Sequence, residues 1–103
     1  DTHYSLMKII QENPEITQRE LARQLGVSIG KTNYCIRMLC EKGWVKATNF
    51  KNSRNKIAYA YLLTPWGVEQ KAKMTIRFLK RKIKEYEMLK AEIAELRRDA
   101  QST

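Results

Sequence analysis

The feature that most restricts the fold is the segment Thr17 to Trp44, TQRELARQLGVSIGKTNYCIRMLCEKGW, which has the pattern of two short helices joined by a glycine turn. Thr17 and Glu20 stand at the spacing of a capping box, and Ile16 can pack against Leu21 across the start of the helix. A helix is therefore predicted to begin directly after Thr17. Its apolar repeat is brief, which predicts a short amphipathic helix.

A second helix is predicted over residues 28–42. Gly26 supplies the left-handed turn conformation that other residues resist, Ser28 caps the new helix and Gly43 ends it. Its buried side is predicted to hold Thr32, Cys35, Ile36 and Leu39. Its exposed side is predicted to hold Gly30, Asn33, Tyr34, Arg37 and Glu41, with Ile29 and Lys31 near the edges. A helix with such an exposed face is what a helix-turn-helix presents to the major groove of DNA.

The charge of the chain agrees with a nucleic-acid partner. The 103 residues carry a formal net charge of +9, and the sequence pI is about 9.8. Residues 1–30 sum to −1, residues 31–63 to +6 and residues 64–103 to +4, so the basic excess begins with the second helix of the segment. Binding to phosphates requires such a basic surface. A solvated basic surface that serves only solubility is the alternative that composition leaves open.

The sequence argues against a protein that spans a membrane, carries a disulfide, binds a metal or catalyses a reaction. No apolar run approaches the ~18 residues of a membrane span and no signal-peptide core is visible, so we expect a cytoplasmic, nucleoid-associated protein. Cys35 and Cys40 point in different directions on one predicted helix, so no disulfide between them is expected, and a redox role for either stays open. His3 is the single histidine, so no metal site is expected. Neither a catalytic set nor a cofactor-binding motif is visible.

A first helix is predicted upstream, over residues 3–13. Leu6, Met7 and Ile10 fall on one helical stripe, Thr2 is a possible cap, and Asn13 before Pro14 favours a stop. This is the first helix of the predicted fold.

A β-hairpin is predicted after Gly43. Residues 44–48 (WVKAT) form a strand candidate, residues 49–55 (NFKNSRN) a polar turn, and residues 56–63 (KIAYAYLL) the partner strand. Tyr59, Tyr61 and Leu63 share one strand face and are interpreted as core, because Ala58 and Ala60 opposite them suggest close packing.

The hairpin tip is basic. Lys51, Arg54 and Lys56 stand among asparagines and a serine, with no acidic residue. An ordinary solvated turn has a similar composition. Its place directly after a recognition-type helix favours the wing of a winged helix, over residues 49–56, on the phosphate backbone or minor groove.

The last element is predicted to be one helix of more than thirty residues. Thr64 can cap it, with Pro65 in the first turn, and neither proline nor glycine occurs from residue 68 to 103. Residues 71–84 carry seven cations and no anion. Further on, Tyr86, Leu89, Ile93, Leu96 and Ala100 recur at spacings of three and four, which indicates a coiled-coil seam. Packing back onto its own domain is the alternative for the proximal half, through Val68, Ala72, Leu79 and Ile76.

These elements resemble a known family. Their order, and the run GKTNYCIRMLCEKGWVKATNFKNSRNKIAYAYLLTPWG, are similar to the MarR-type winged helix-turn-helix repressors, in which Leu-Thr-x-x-Gly follows the wing. Within that family, a small bacterial subgroup of exopolysaccharide-associated regulators is the closer match, over essentially the whole chain. The resemblance implies that Asn33, Tyr34 and Arg37 read the groove and that Arg54 and its neighbours meet the backbone. The chain is shorter than typical members, so we expect no dedicated small-molecule effector.

The sequence therefore predicts a mainly α-helical fold with a small β-hairpin. A winged helix-turn-helix occupies residues 1–67, and a long C-terminal coiled-coil helix occupies residues 68–103. The residues expected to contact DNA are Ser28, Gly30, Lys31, Asn33, Tyr34, Arg37, Lys51, Arg54 and Lys56. Those expected to make a homodimer are Leu79, Ile83, Tyr86, Leu89, Ile93 and Leu96.

The expected function is that of a dimeric, sequence-specific regulator on a pseudo-palindromic operator in double-stranded DNA, with exopolysaccharide genes as targets. Two rival hypotheses remain: a winged helix that docks an acidic protein partner, and RNA binding through residues 71–84. The sequence leaves open the operator, the sign and signal of regulation, and the orientation of the paired helices.

Overall fold

The computed structural model describes residues 1–51, 54 and 57–102, and within these ranges it contains four helices and a two-stranded sheet. The elements in chain order are α1 (Thr2–Glu12), α2 (Gln18–Leu25), α3 (Ile29–Glu41), β1 (Val45–Lys51), β2 (Ile57–Leu63) and α4 (Pro65–Gln101). This order confirms the predicted winged helix with a long C-terminal helix.

Helix α1 begins one residue earlier than predicted. Its N-cap is Asp1, whose carboxylate accepts a hydrogen bond of 2.9 Å from the backbone N–H of His3. Thr2 is consequently the first helical residue and not the cap, because the carboxylate of Asp1 already satisfies a free N–H of the first turn.

The starts of α2 and α3 are both capped as predicted. The Thr17 hydroxyl accepts a hydrogen bond of 3.1 Å from the N–H of Glu20, and the Ser28 hydroxyl accepts one of 3.0 Å from the N–H of Lys31. Gly26 between them has a φ of 69°, which is the left-handed conformation that favours glycine. These local interactions fix where α3 starts, and therefore which of its sides is buried.

The core of the winged unit draws on every element before α4. Leu6, Met7 and Ile10 of α1 are fully buried, as predicted. The other buried apolar residues of this unit are Ile16, Leu21, Ala22, Cys35, Ile36, Leu39, Val45 and Tyr61. Thr32 is also buried, and its hydroxyl donates a hydrogen bond of 3.0 Å to the carbonyl of Ser28. The predicted buried side of α3 is therefore confirmed in full.

The hairpin is antiparallel and longer than predicted. Its register runs from Val45 opposite Leu63 to Lys51 opposite Ile57. Residues 49–51, which we predicted to be turn, continue β1 because Asn49 and Phe50 pair with Tyr59 and Ala58. Near its other end, the N–H of Tyr61 donates to the carbonyl of Pro14 at 2.9 Å, which ties β2 to the helical part.

The start of α4 packs closely against the residues that directly follow α3. The Thr64 hydroxyl accepts a hydrogen bond of 3.0 Å from the N–H of Gly67 and donates one of 2.6 Å to the carbonyl of Gly43. A Cβ on Gly67 would lie only 1.9 Å from the carbonyl oxygen of Trp44. Glycine is thus required here by the close approach of two backbones.

The chain divides into two compact units, residues 1–72 and residues 73–103. The first holds the winged helix and the first turns of α4, and the second is the rest of that helix. The 37 residues of α4 confirm the predicted helix of more than thirty residues. None of the described helices is long and apolar enough to cross a membrane.

Candidate nucleic-acid interface

The outward side of α3 carries the predicted recognition residues. Gly30, Lys31, Tyr34 and Arg37 are exposed, and Tyr34 leaves 63% of its surface open to solvent. Ser28 is exposed as well, although its hydroxyl is already used as the N-cap of the helix. The caps and the buried residues of α3 together fix this face, so it presents an aromatic ring and two cations to a partner.

Asn33 lies at the edge of this face, in a hydrogen-bonded chain that reaches the hairpin. Its side-chain amide donates to the Gln18 side-chain carbonyl at 3.3 Å, and the Gln18 amide donates to the Tyr61 hydroxyl at 3.0 Å. Asn33 is half-buried, and its amide is oriented by Gln18 of α2, which Tyr61 of β2 contacts in turn. Because the chain joins residues 15 and 43 positions apart, no local sequence pattern indicates it.

A groove of about 430 Å³ runs between α3 and the hairpin. Its lining consists of Gln18, Asn33, Ile36, Arg37, Cys40, Glu41, Ala47, Tyr59 and Tyr61. The groove brings the outer side of α3 together with the face of the hairpin that sequence reasoning treated as core. It is open to solvent.

Tyr59 is not a core residue, contrary to the prediction. It is 57% exposed, whereas Tyr61 on the same strand face is 4% exposed and Leu63 is half-buried. The two tyrosine rings stack, with centroids 6.5 Å apart and planes 17° from parallel. The alternation of residues along β2 correctly predicts that the two tyrosines share a face. The helices cover only the part of the strand around Tyr61, so Tyr59 stays exposed. Tyr59 therefore joins the candidate interface as an exposed aromatic residue.

The wing contributes exposed cations. Lys51 is exposed at the end of β1 and Arg54 is exposed in the turn, whereas Lys56 lies outside the described residues. Lys46, which sequence reasoning did not single out, is also exposed on β1. Lys42 lies over the Trp44 ring, with its Nζ 4.7 Å from the centroid, so part of its charge is engaged within the protein.

The pKa values of Glu20 in α2 and Cys40 in α3 are shifted by hydrogen bonding and by burial, respectively. A hydrogen bond from Arg23, together with one from Gln24, lowers the pKa of Glu20 to about 2. The Arg23 guanidinium is thereby paired within α2 and adds little net charge to the surface. Partial burial raises the pKa of the Cys40 thiol. Among the described residues, no group of three or more histidine, cysteine or acidic side chains is placed to hold a metal.

Residues 1–46 match the family model described as winged helix-turn-helix DNA-binding. No curated protein sequence matches the chain. Solved structures do match, at low sequence identity.

The PadR-like transcriptional regulator of Bacillus cereus is similar with a TM-score of 0.76 and 18% identity, over 84% of this chain and 89% of that one. FabT of Streptococcus pneumoniae, solved in complex with DNA, has a TM-score of 0.61 and 19% identity, over 81% of this chain. The zinc-responsive MarR family member ZitR of Lactococcus lactis has a TM-score of 0.63 and 20% identity, over 86%.

The chain spans only 56% of FabT and 59% of ZitR. At these identities the likeness establishes the fold alone. What those proteins bind is a property of those proteins and is not carried over to this chain. The predicted resemblance is confirmed at that level: the chain has the winged helix-turn-helix fold that MarR-family and PadR-like regulators also have.

Proposed function

We propose that the protein is a sequence-specific regulator that binds double-stranded DNA as a homodimer, within the cytoplasm and at the nucleoid. The observation that carries this proposal is the outward face of α3, on which Tyr34 and Arg37 are exposed while N-caps fix where α2 and α3 begin. A rigid helix with exposed side chains that can bond to base edges is what readout in the major groove requires.

Different parts of α3 are proposed to do different work. Arg37 can form the bidentate contact with guanine, and Asn33, whose amide Gln18 already orients, can address an adjacent base. Ser28, Gly30 and Lys31 lie in the first turn, where backbone N–H groups and a cation suit a phosphate. Tyr34 adds an aromatic contact between these two regions.

The wing is proposed to hold the flanking backbone or minor groove. Lys51 and Arg54 are exposed on it, and Lys56 is included from the sequence. Tyr59 is included as well, because it is exposed and lines the same groove as Arg37. A phosphate chain that entered this groove would meet a hydroxyl and a guanidinium.

The dimer is proposed to form through α4 beyond the winged unit, by Leu79, Ile83, Tyr86, Leu89, Ile93 and Leu96. All six are large and exposed in the single chain. Two identical subunits would call for a pseudo-palindromic operator. Resemblance to the exopolysaccharide-associated subgroup supports genes of that class as targets, and the proposal includes no small-molecule effector.

The rival function is a winged helix that docks an acidic protein. To separate DNA binding from docking of an acidic protein, the unmodified chain is titrated into labelled random duplex at low salt and again at about 150 mM salt. The second condition is chosen because about 0.15 M is the physiological ionic strength. We expect binding in both conditions, followed by enrichment of one sequence when random duplexes are selected. Binding to polyglutamate as tight as to duplex, with nothing enriched, would favour the acidic partner. Competition by double-stranded RNA tests the RNA alternative in the same assay.

A further inference from the structure

The apolar stripe on the distal part of α4 has a regular charged border. In the unit of residues 73–103, Tyr86, Leu89, Ile93 and Leu96 are between 42% and 66% exposed. Their spacing places Tyr86 and Ile93 at the a positions of a heptad, and Leu89 and Leu96 at the d positions. Burial of such side chains is favourable, and a second copy of this helix offers the same stripe.

The border of the stripe has opposite charges on its two sides. Glu85, Glu92 and Asp99 each precede an a position, which is position g of the heptad. Lys90 and Arg97 each follow a d position, which is position e. One side of the stripe is therefore acidic and the other side is basic.

This separation distinguishes the two ways in which copies can pair. In a parallel pair, position g of one helix faces position e of the other, so Glu85 meets Lys90 and Glu92 meets Arg97. In an antiparallel pair of the same stripes, g faces g and e faces e, so acid meets acid and base meets base. Like charges across a seam are destabilising, and opposite ones are stabilising.

A staggered antiparallel pair, in which the distal stripe covers residues 73–84 of the other copy, is less favourable than the parallel pair. It would bring Lys90 and Arg97 toward Lys73 and Lys80 on one side, although the acidic side would meet Lys82 on the other. Attraction and repulsion then offset each other along the stripe, whereas in the parallel pair both borders of the distal stripe, residues 85–99, are attractive.

We propose that the distal parts of α4 from two copies of this chain pair in parallel and in register, with the acidic side of each stripe against the basic side of the other. This inference rests on the proposed homodimer and adds its orientation. Both winged units then lie at the same end of the paired segment, because each precedes it in the chain.

Cysteine cross-linking tests the orientation. Ala100 is the next a position, so in a parallel pair two copies of Ala100→Cys lie within reach of a disulfide. An antiparallel pair instead places residue 100 opposite residue 82, or opposite residue 72 if staggered. We expect Ala100→Cys alone to form most of its dimer as a disulfide under mild oxidation. The unmodified chain, in which Cys35 is buried and Cys40 is half-buried, gives the background.

The other outcomes separate the two proposals. Cross-linking of Ala100→Cys only when it is mixed with Lys82→Cys or Ala72→Cys would overturn the parallel orientation and keep the dimer. A dimer by sedimentation without any of these cross-links would also overturn the parallel seam. Sedimentation as a monomer throughout would remove the proposed homodimer itself.

Charge reversal gives a second measurement without cysteine. Glu85→Lys with Glu92→Lys turns the attractive pairs of a parallel dimer into repulsive ones, so we expect the dimer dissociation constant to rise roughly tenfold. Lys90→Glu with Arg97→Glu, added to the same chain, should restore it. Glu87→Lys with Glu95→Lys changes the net charge equally but lies away from the stripe, and is the matched control. Equal effects of the two double variants would contradict the proposed pairing.

Discussion

At the scale of single residues, Arg37 and Lys31 are expected to contribute to DNA binding in different ways. Both are exposed on α3, but Arg37 lies further along the helix, beside Asn33 and the groove. Arg37→Ala should cost ~1 to 3 kcal/mol on the selected sequence and relax the preference at one base position, because alanine cannot form the bidentate hydrogen bonds to guanine. Lys31→Ala should weaken binding to all duplexes alike. Titrations on selected and random duplexes check both, and an equal loss of affinity on the two duplexes for Arg37→Ala would refute its role as the reader.

Cys40 provides a prediction about pH. Its thiol is half-buried, and this burial raises its pKa above the ordinary value. A raised pKa means that the neutral thiol persists to higher pH, so the reactive thiolate forms later than in a free peptide. The rate of alkylation by iodoacetamide, followed against pH, should reach its midpoint above that of a cysteine peptide. Cys40→Ser identifies the signal, and a midpoint below that of the peptide would point instead to an activated thiol.

Several residues show how far the sequence predicts this surface. Thr17, Gly26 and Ser28 act through neighbours within four positions, so their roles follow from spacing alone. Alternation wrongly predicts Tyr59 in the core, because it specifies the face of a strand but not how far the neighbouring helices extend over that face. Gln18 was missed because its partners, Asn33 and Tyr61, become neighbours only in the folded chain.

At the scale of the elements, the wing is expected to control the salt dependence of binding. In this prediction Ala replaces Lys51, Arg54 and Lys56 together. The slope of log K against log salt should then become less steep, by up to about 0.9 for each phosphate that the wing no longer neutralises. Circular dichroism should show an unchanged fold, since Lys51 and Arg54 are exposed. An unchanged slope would mean that the wing does not touch the phosphates.

The junction between α3 and α4 predicts a position-specific effect of alanine. Gly67→Ala places a Cβ against the Trp44 carbonyl, so two backbones must separate, and we expect a decrease of about 1 to 3 kcal/mol in the free energy of unfolding. Gly30→Ala is the control. Its Cβ has only the Ser28 hydroxyl nearby, at 4.0 Å, and alanine favours a helix, so stability should rise by up to about 1 kcal/mol. Urea unfolding measures both, and equal effects would contradict the close approach at Gly67.

The sequence predicts the extent of some helices and strands correctly and that of others incorrectly. The length of α4 follows from the absence of proline and glycine after Gly67. The end of β1 does not, because polar residues such as Asn49 form a strand when a partner such as Tyr59 continues the ladder. Turn-forming residues therefore predicted the hairpin correctly and its extent incorrectly.

At the scale of the whole molecule, dimerisation should be separable from folding. Leu89→Asp with Ile93→Asp places two charges in the stripe, which should give a monomer whose winged unit is intact but whose affinity for the operator is much lower. Sedimentation at micromolar concentration gives the mass, and circular dichroism reports the fold. A monomeric unmodified chain, with the same mass after the substitutions, would exclude a dimer through α4.

The cations between Lys73 and Lys84 give such a dimer an unusual dependence on its surroundings. This segment carries six cations and no anion, so parallel pairing brings two like-charged segments together. Salt that screens their repulsion lowers this cost to the free dimer, but it also screens the attractive pairs of the distal stripe and weakens the hold of the dimer on DNA. A polyanion bound by both segments would relieve the repulsion directly. By linkage, DNA then promotes dimerisation by the factor by which dimerisation promotes DNA binding, so operator occupancy should respond to protein concentration more steeply than in simple binding.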